Sequence, residues 1–314
     1  MSSAPTDASY LFWAYQLLFA TTFPIPEMTG AEPVMSDPER APDVLIRSAD
    51  FPDSLSNPLD RSQVHEVNGE ELILRVADVG RYLVRNGREI LIDREPDATD
   101  HDVRVYLLGT CIGALLHQRG FLVLHASGVI TDHGCLLFTG ESGAGKSTLL
   151  AEFLRRGNKM MVDDVCAVRF DSAGRPIVVP SYPRTRLWRD AADRFAIDTS
   201  ELARTRPSWD KFEYQVPTQF WGQEEPMSHV FHLAGPNTSD EISFQRLGPM
   251  DAFKTLVDNT YRGILLDGMD LRSSHFELAS RAARSVDVTR VSRPGDTDTL
   301  EELATRVLAT IKEP

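Results

Sequence analysis

The chain has 314 residues, of which 42% are hydrophobic and 25% are charged, and its 33 basic and 46 acidic side chains give a net charge of −13. This length and composition are ordinary for a globular protein with one large or two average domains. A surface of this charge repels nucleic-acid backbones and anionic membranes, so neither is expected as a partner.

Residues 1–104 are predicted to form a small β-rich part of an α/β protein. The apolar run at 10–23 is expected to be a long strand, because it is shorter than the roughly 20 residues of a membrane span and lacks the flanks of a secretion signal. Residues 24–62 are rich in Pro, Asp, Glu and Ser and are expected to be loop-rich. Further on, Asn86 and Gly87 join two apolar runs and predict a type I′ hairpin turn.

Residues 105–314 are predicted to form an α/β domain. A helix is expected over 102–120, where apolar residues recur on one face and a glycine stands at the end. Strands and helices then alternate to the end of the sequence, including a helix expected over 185–196. This alternation is typical of an α/β architecture.

The cysteines indicate the compartment. Cys111, Cys135 and Cys166 lie far apart in apolar runs, without metal-ligand spacing, and the eight histidines are equally scattered. We expect three buried free thiols in a reducing compartment, and therefore a cytoplasmic protein.

The sequence GESGAGKST at 140–148 matches the pattern G-x-x-x-x-G-K-[ST] of a phosphate-binding loop, between an apolar run and an amphipathic segment. In such a loop the backbone N–H groups surround the phosphates, the lysine reaches the β- and γ-phosphates, and the hydroxyl binds Mg²⁺. The expected cofactors are therefore ATP and Mg²⁺. The residues expected to contact them are Gly140, Glu141, Ser142, Gly143, Ala144, Gly145, Lys146, Ser147 and Thr148.

Two adjacent carboxylates, Asp163 and Asp164, follow the apolar run MMV soon after this loop. Paired carboxylates there can bind Mg²⁺ and accept the proton of an attacking hydroxyl. Neighbouring side chains of a strand point to opposite faces, so both can face the nucleotide only if the strand ends or bulges at this point. The pattern alone does not say which aspartate is the base.

Residues 124–168 resemble the catalytic domain of the HPr kinase/phosphorylase family. That family has a histidine before the loop, a helix that ends in Arg-Gly, and an Asp-Asp pair. The matching positions here are His125, the loop 140–147, Arg156, Gly157, Asp163 and Asp164. Outside this stretch, RYLVRNG, LLHQRG and YPRTRLW are similar to a divergent branch of the family, which includes kinases from lasso-peptide gene clusters that phosphorylate a precursor peptide.

The resemblance implies a P-loop kinase domain of the HPr kinase/phosphoenolpyruvate carboxykinase type. It implies transfer of the ATP γ-phosphate to a serine or threonine hydroxyl of a peptide or small protein, a ribosomal precursor peptide among them. Lys146 would contact the phosphates, one aspartate would be the base, and His125 would orient it. Asp164 is taken with Ser147 as the metal pair. The resembled enzymes form hexamers, so a homo-oligomer is also an expectation.

The chain departs from the family at Thr148, where the family has Glu, and it lacks a clear late glycine-rich loop. Phosphorylase activity and HPr as acceptor are therefore not implied. Two alternatives stay open: a kinase of a small metabolite such as free serine, and a non-enzymatic ATP-sensing binding protein. Weaker candidates for phosphate contacts are Arg184 and Arg186. Trp209, Lys211 and Tyr214 are candidates for contact with substrate or ribose, with surface packing as the favoured role.

Overall fold

The computed structural model describes residues 10–29, 40–206, 209–235, 241–294 and 299–311. The chain divides into two compact units, Met1–Val123 with Tyr261–Leu278, and Leu124–Thr260 with Ala279–Pro314. Both combine strands and helices, so the predicted α/β class is confirmed at the level of a mixed α/β fold. Within the described ranges, no helix combines the length and apolar character that a membrane span requires.

The first unit is built on one eight-stranded sheet with the strand order β1-β2-β3-β8-β7-β6-β5-β4. Strand β3 pairs in parallel with β2 and β8, and the other pairs are antiparallel. The strands are β1 (Tyr10–Ala14), β2 (Leu17–Thr21), β3 (Val44–Ser48), β4 (Asp60–Arg61), β5 (His65–Asn68), β6 (Glu71–Val76), β7 (Gly80–Arg85) and β8 (Glu89–Arg94).

One turn of this sheet differs from the prediction made from the sequence, and another agrees with it. The run 10–23 is a β1–β2 hairpin and not one long strand, because Tyr15 and Gln16 adopt positive φ angles of 54° and 58° and reverse the chain. The β7–β8 turn was correctly predicted. Asn86 and Gly87 have φ angles of 56° and 60°, as a type I′ turn requires.

The stretch 24–62 is less irregular than its composition indicates. It contains β3, in which Val44 and Ile46 are buried and pair with the sheet. Residues 30–39 of this stretch lie outside the described ranges. The expectation of a loop-rich stretch is therefore wrong for β3, where apolar residues at alternate positions make a strand.

The predicted helix over 102–120 is confirmed as a helical segment in three parts: α1 (Asp100–Tyr106), a π-helical turn over Leu107–Cys111, and α2 (Ile112–Gln118). Thr99 and Asp102 form a capping box at its start. The boundary expected near residue 104 falls inside the first unit, because Tyr82 of β7 donates a hydrogen bond to the Val103 oxygen at 3.0 Å.

The second unit carries the larger sheet, in the order β12-β10-β11-β17-β14-β13-β9, with β19 beside β17 and β18 beside β19; β15 and β16 form a separate two-stranded sheet. The remaining elements of the chain are β9 (Leu122–His125), β10 (Ser127–Thr131), β11 (Gly134–Thr139), α3 (Lys146–Arg155), β12 (Lys159–Val162), β13 (Val165–Phe170), β14 (Pro176–Val179), β15 (Arg184–Trp188), α4 (Arg189–Arg194), β16 (Lys211–Gln215), β17 (Glu225–Leu233), β18 (Ser243–Arg246), α5 (Pro249–Asp258), α6 (Arg272–Ser285), β19 (Asp287–Ser292) and α7 (Leu300–Thr310).

Strand direction brings several strand ends to one edge of this sheet. Strand β11 runs parallel to β17, and β17 runs parallel to β19. Strands β11 and β12 both pair antiparallel with β10, so they run in the same direction as each other. The carboxyl ends of β11, β12, β17 and β19 therefore lie at the same edge, which is where open α/β sheets bind ligands.

Helices α3 and α7 pack on this sheet over a hydrophobic core. Phe138 of β11 and Phe153 of α3 stack with ring centroids 5.4 Å apart, and Leu303 and Val307 of α7 are buried in the same cluster. Each such side chain contributes roughly 1.5–3 kcal/mol on burial. These contacts hold α3 against the sheet.

Two further predictions concern local features. Cys111, Cys135 and Cys166 are buried free thiols, as expected. The helix expected over 185–196 is only partly correct. Its first residues form β15, which pairs with β16, and the helix begins at Arg189.

Candidate active site

The loop 140–148 connects β11 to α3 and depends on its glycines. Gly140, Gly143 and Gly145 have positive φ angles of 137°, 86° and 93°. A Cβ on Gly140 would lie 2.5 Å from the Leu233 oxygen, and one on Gly145 would lie 2.9 Å from Nη2 of Arg293. Backbone strain therefore disfavours a side chain at all three positions, and contact with the Leu233 backbone also excludes one at Gly140.

Lys146 and Ser147 occupy the first turn of α3, directly after Gly145. The Lys146 ammonium donates to the backbone oxygens of Gly140 and Glu141 at 2.7 and 3.0 Å, so it lies against the loop. The residue is 7% exposed. Burial lowers the pKa of Lys146, while the negative charges of Asp163 and Asp164 act in the opposite direction.

Asp163 is the centre of a hydrogen-bond network at the end of β12. Its carboxylate accepts hydrogen bonds from Ser127 Oγ at 2.6 Å, Ser147 Oγ at 3.1 Å, Thr185 Oγ1 at 2.8 Å and the Arg186 backbone N–H at 3.0 Å. The residue is only 6% exposed. Four donors therefore fix a buried carboxylate beside the helix that follows the loop.

Asp164 has a different set of partners. His125 Nδ1 lies 3.2 Å from its Oδ1, and Arg186 Nη1 donates to its Oδ2 at 2.8 Å. Burial acts to raise the pKa of this carboxyl, but the hydrogen bond from His125 and the charges of Arg186, His125 and Lys211 outweigh it and hold the pKa well below its usual range. Asp164 is therefore ionised at neutral pH.

The backbone between β12 and β13 lets both carboxylates serve one site. Strand β12 ends at Val162 and β13 begins at Val165, so the two aspartates form the connection. Asp164 has a φ of 75°, in the left-handed region that asparagine and aspartate enter most readily among residues with a side chain. The requirement that the strand end at this point is met.

The two-stranded β15–β16 sheet adds cations beside the aspartates. Glu213 accepts hydrogen bonds from Arg184 at 2.9 Å and Arg186 at 3.3 Å, and Tyr182 accepts from Arg184 at 2.8 Å. The buried donors Arg184 Nε and Arg186 Nη2 have no hydrogen-bond partner among the described residues. An unpaired buried donor costs roughly 1–3 kcal/mol, so a buried Arg186 donor next to Asp164 is well suited to an anionic ligand.

Asn259, at the end of α5, is a site residue that the sequence does not indicate. Its Oδ1 accepts a hydrogen bond from the Gly140 N–H at 2.9 Å, and its backbone oxygen accepts one from the His125 N–H at 2.8 Å. It therefore connects the start of the loop to the strand that carries His125. No motif surrounds Asn259 in the sequence, and only the fold brings it here.

His232 and Arg293 also reach this sheet edge without a sequence signal. His232 lies in β17 beside the end of β11, and its Nδ1 is 3.3 Å from Thr139 Oγ1. Burial lowers its pKa. Arg293 directly follows β19 and donates to the Ala144 oxygen at 2.9 Å. Their positions follow from the parallel arrangement of β11, β17 and β19.

The structure thus brings together most of the candidate residues. Lys146, Ser147, Asp163, Asp164 and His125 lie around one network of hydrogen bonds and ion pairs. Other loop residues stand at its rim: the exposed tip consists of Glu141, Ser142 and Gly143, and the half-buried positions are Ala144 and Thr148.

Comparison with known proteins leaves the family open. No family model matches the chain. No curated protein matches it either. Among solved structures, the chain is similar to the HPr(Ser) kinase/phosphatase from Coxiella burnetii, at 14% sequence identity and a TM-score of 0.32, over 60% of this chain and 89% of that chain. A similarity of this size does not establish a relationship, so membership of the HPr kinase/phosphorylase family stays a prediction from the motifs.

Proposed function

We propose that the chain is an ATP- and Mg²⁺-dependent kinase that transfers the γ-phosphoryl group to a serine or threonine hydroxyl of a peptide or small protein. One observation carries the proposal. Ser147, in the first turn after a glycine-rich loop, bonds to Asp163, while the adjacent Asp164 bonds to His125. A phosphate-binding loop, a metal pair and a positioned carboxylate are the parts that phosphoryl transfer requires.

The loop 140–148 and Lys146 would hold the triphosphate through backbone N–H groups and the ammonium. Ser147 and Asp163 would hold Mg²⁺, which supplies charge neutralisation to the β- and γ-phosphates. This reverses the expected assignment of Asp164 to the metal. The reason is the contact pattern: Ser147 donates to both oxygens of Asp163, at 3.1 and 3.4 Å, whereas Asp164 bonds to His125 and Arg186.

Asp164 would be the base. The attacking hydroxyl oxygen bonds to the γ-phosphorus as the bond to the β–γ bridging oxygen breaks, and the hydroxyl proton passes to the Asp164 carboxylate. Because the pKa of Asp164 is held low, it is a weak base. Its main contribution is to orient the hydroxyl, with proton transfer late in the reaction. His125 and Arg186 fix the carboxylate for this role.

The acceptor we propose is a serine in a short, flexible peptide segment that is not strongly acidic, such as part of a ribosomal precursor peptide. The protein carries a net charge of −13, which slows the approach of acidic partners. The proposed base is only partly exposed. A hydroxyl on a flexible segment can still enter such a site, and it needs little docking surface to do so.

Radiolabelled transfer from [γ-³²P]ATP tests the proposal, with serine peptides of different charge, matched alanine peptides, folded HPr and free serine as acceptors. We expect labelling of serine peptides, dependent on Mg²⁺ and lost in Asp164→Asn. Labelling of free serine alone would support the metabolite kinase. Nucleotide binding without turnover would support the ATP-sensing protein, and absence of nucleotide binding would refute all three.

A further inference from the structure

One face of the two-stranded β15–β16 sheet carries several cations. The register places Trp188 opposite Lys211 and Arg186 opposite Glu213. Since directly opposed residues and alternate residues of a strand share a face, Arg184, Arg186 and Lys211 lie on the same face, with Glu213 as its carboxylate. This face adjoins the catalytic aspartates, because Arg186 Nη1 donates to Asp164.

Lys211 is the cation of this face whose ammonium has no ion pair within the part of the chain that the structure describes. Glu213 is engaged by both Arg184 and Arg186, and Arg186 is shared with Asp164. Within the described ranges the Lys211 ammonium forms neither a hydrogen bond nor an ion pair; it lies 5.7 Å from the ring centroid of Trp188. A half-buried ammonium that rests on an aromatic ring is oriented but still able to bind an anion.

The charges of the same two aspartates act on this ammonium and on that of Lys146. Burial lowers the pKa of Lys211, and the charges of Asp163 and Asp164 raise it again. After burial and the same two aspartates, the charge of Lys211 is itself a cause that lowers the pKa of Lys146. Two lysines that repel each other beside an unpaired Arg186 donor form a group of cations that an anion would stabilise.

We propose that Lys211, together with Arg186, binds the phosphoryl group while it is transferred. This inference rests on the proposed nucleotide site and adds a residue to it. In a loose transition state the negative charge is spread over the three equatorial oxygens, and cations fixed in a half-buried site stabilise that charge. Lys146 would contact the β–γ side of the nucleotide, whereas Lys211 shares a strand face with Arg186, whose Nη1 donates to Asp164, the proposed base.

The test is the affinity for ADP compared with ADP plus beryllium fluoride, which mimics the phosphoryl group, measured by calorimetry with Mg²⁺. The parent protein should prefer the complex with fluoride, and Lys211→Met should reduce that preference by about 10- to 100-fold, the range of one charge-assisted hydrogen bond. Affinity for ADP alone should change less than about twofold, since ADP lacks the group concerned. Lys211→Arg should restore part of the preference.

Lys159→Met is the matched control. Lys159 also rests on a tryptophan, with its ammonium 5.4 Å from the Trp221 ring centroid, but it begins β12, whereas Asp163 follows the end of that strand. The Lys159→Met substitution removes the same kind of cation–aromatic contact at a place away from the site. It should leave the preference for the fluoride complex over ADP unchanged.

An unchanged preference in Lys211→Met, with nucleotide still bound, would overturn this inference and leave the proposed function standing. An equal loss of affinity for ADP and for the fluoride complex would also overturn it. Failure of the parent protein to bind nucleotide would refute both proposals. Thermal unfolding of Lys211→Met and Lys211→Gln shows whether each variant is folded, so that a structural defect is recognised.

Discussion

His125 Nδ1 lies 3.2 Å from the Oδ1 of Asp164 and 3.1 Å from the backbone oxygen of the same residue. One ring nitrogen therefore faces both the side chain and the main chain of an aspartate whose φ is 75°. A left-handed backbone at a residue with a side chain persists only where its surroundings stabilise it. This relationship distinguishes Asp164 from Asp163 and separates the effects expected of the two.

Asp164→Asn should leave Mg²⁺-dependent ATP binding within about threefold of the parent but lower the transfer rate by about 10²-fold or more, because the amide cannot accept the proton. Single-turnover transfer and calorimetry measure the two quantities separately. An unimpaired transfer rate would show that Asp164 is not the base. Asp171→Asn, at an aspartate in the turn after β13, is the control.

Asp163→Asn should act on the metal. The amide removes a negative charge next to Ser147, so the stimulation of ATP binding by Mg²⁺ should fall by about tenfold or more, while binding measured in EDTA should change little. Titration of ATP with and without Mg²⁺ gives this ratio. Should Asp164→Asn lower the ratio and Asp163→Asn leave it intact, the metal assignment expected from the sequence would be restored.

The sequence predicts this site where its parts are contiguous. The loop, the helix after it and the Asp-Asp pair lie within 140–164, and local spacing alone places them together. The β15–β16 pair could not be foreseen in the same way. Residues 185–196 have helical periodicity, but pairing with β16 makes a strand of the first part, and that pairing brings Arg186 to the aspartates and Lys211 to the same strand face. Pairing between two strands that are separated by residues 189–210 has no local signal in the sequence.

A similar limit applies in the first unit. Asn86-Gly87 is a recognisable turn because both residues tolerate positive φ, whereas Tyr15 and Gln16 adopt the same angles without any such preference. Tyr15 is buried, so packing of its ring compensates for the strained turn. The single strand expected over 10–23 is therefore wrong for a reason of tertiary structure.

Asn259→Ala should weaken the nucleotide site without touching it. The change leaves the Gly140 N–H without its acceptor, and an unpaired buried donor costs roughly 1–3 kcal/mol. We expect a loss of that size in the free energy of unfolding and about tenfold weaker ATP binding. Denaturant titration and calorimetry measure the two effects.

The matched control for Asn259 is Asn158→Ala. Asn158 is a half-buried asparagine, which donates to the Ile130 oxygen at 3.0 Å and lies beyond the far end of α3. Its replacement should lower stability without weakening nucleotide binding. Equal losses of ATP affinity in the two variants would show that Asn259 has no specific role in positioning the loop.

The last prediction concerns stability at acid pH and the buried residue His229. Its Nε2 lies 2.9 Å from Thr289 Oγ1, and its ring stacks on Phe231 with centroids 4.3 Å apart. Burial lowers the pKa of His229 to about 4; Asp287 opposes this shift and Arg246 adds to it.

In the unfolded chain the pKa of this histidine is about 6.5. Between these values the unfolded state binds more protons, so the stabilisation is complete above about pH 6.5 and is lost as the pH falls towards 4. From pH 7 to pH 5, His229 should account for about 2 kcal/mol of lost unfolding free energy. Denaturant titrations at the two pH values measure this loss. His229→Gln should reduce the loss by about that amount. His133→Gln, at an exposed position, is the control and should leave the loss unchanged. A loss of the same size in His229→Gln and in the parent protein would show that this histidine does not titrate on unfolding.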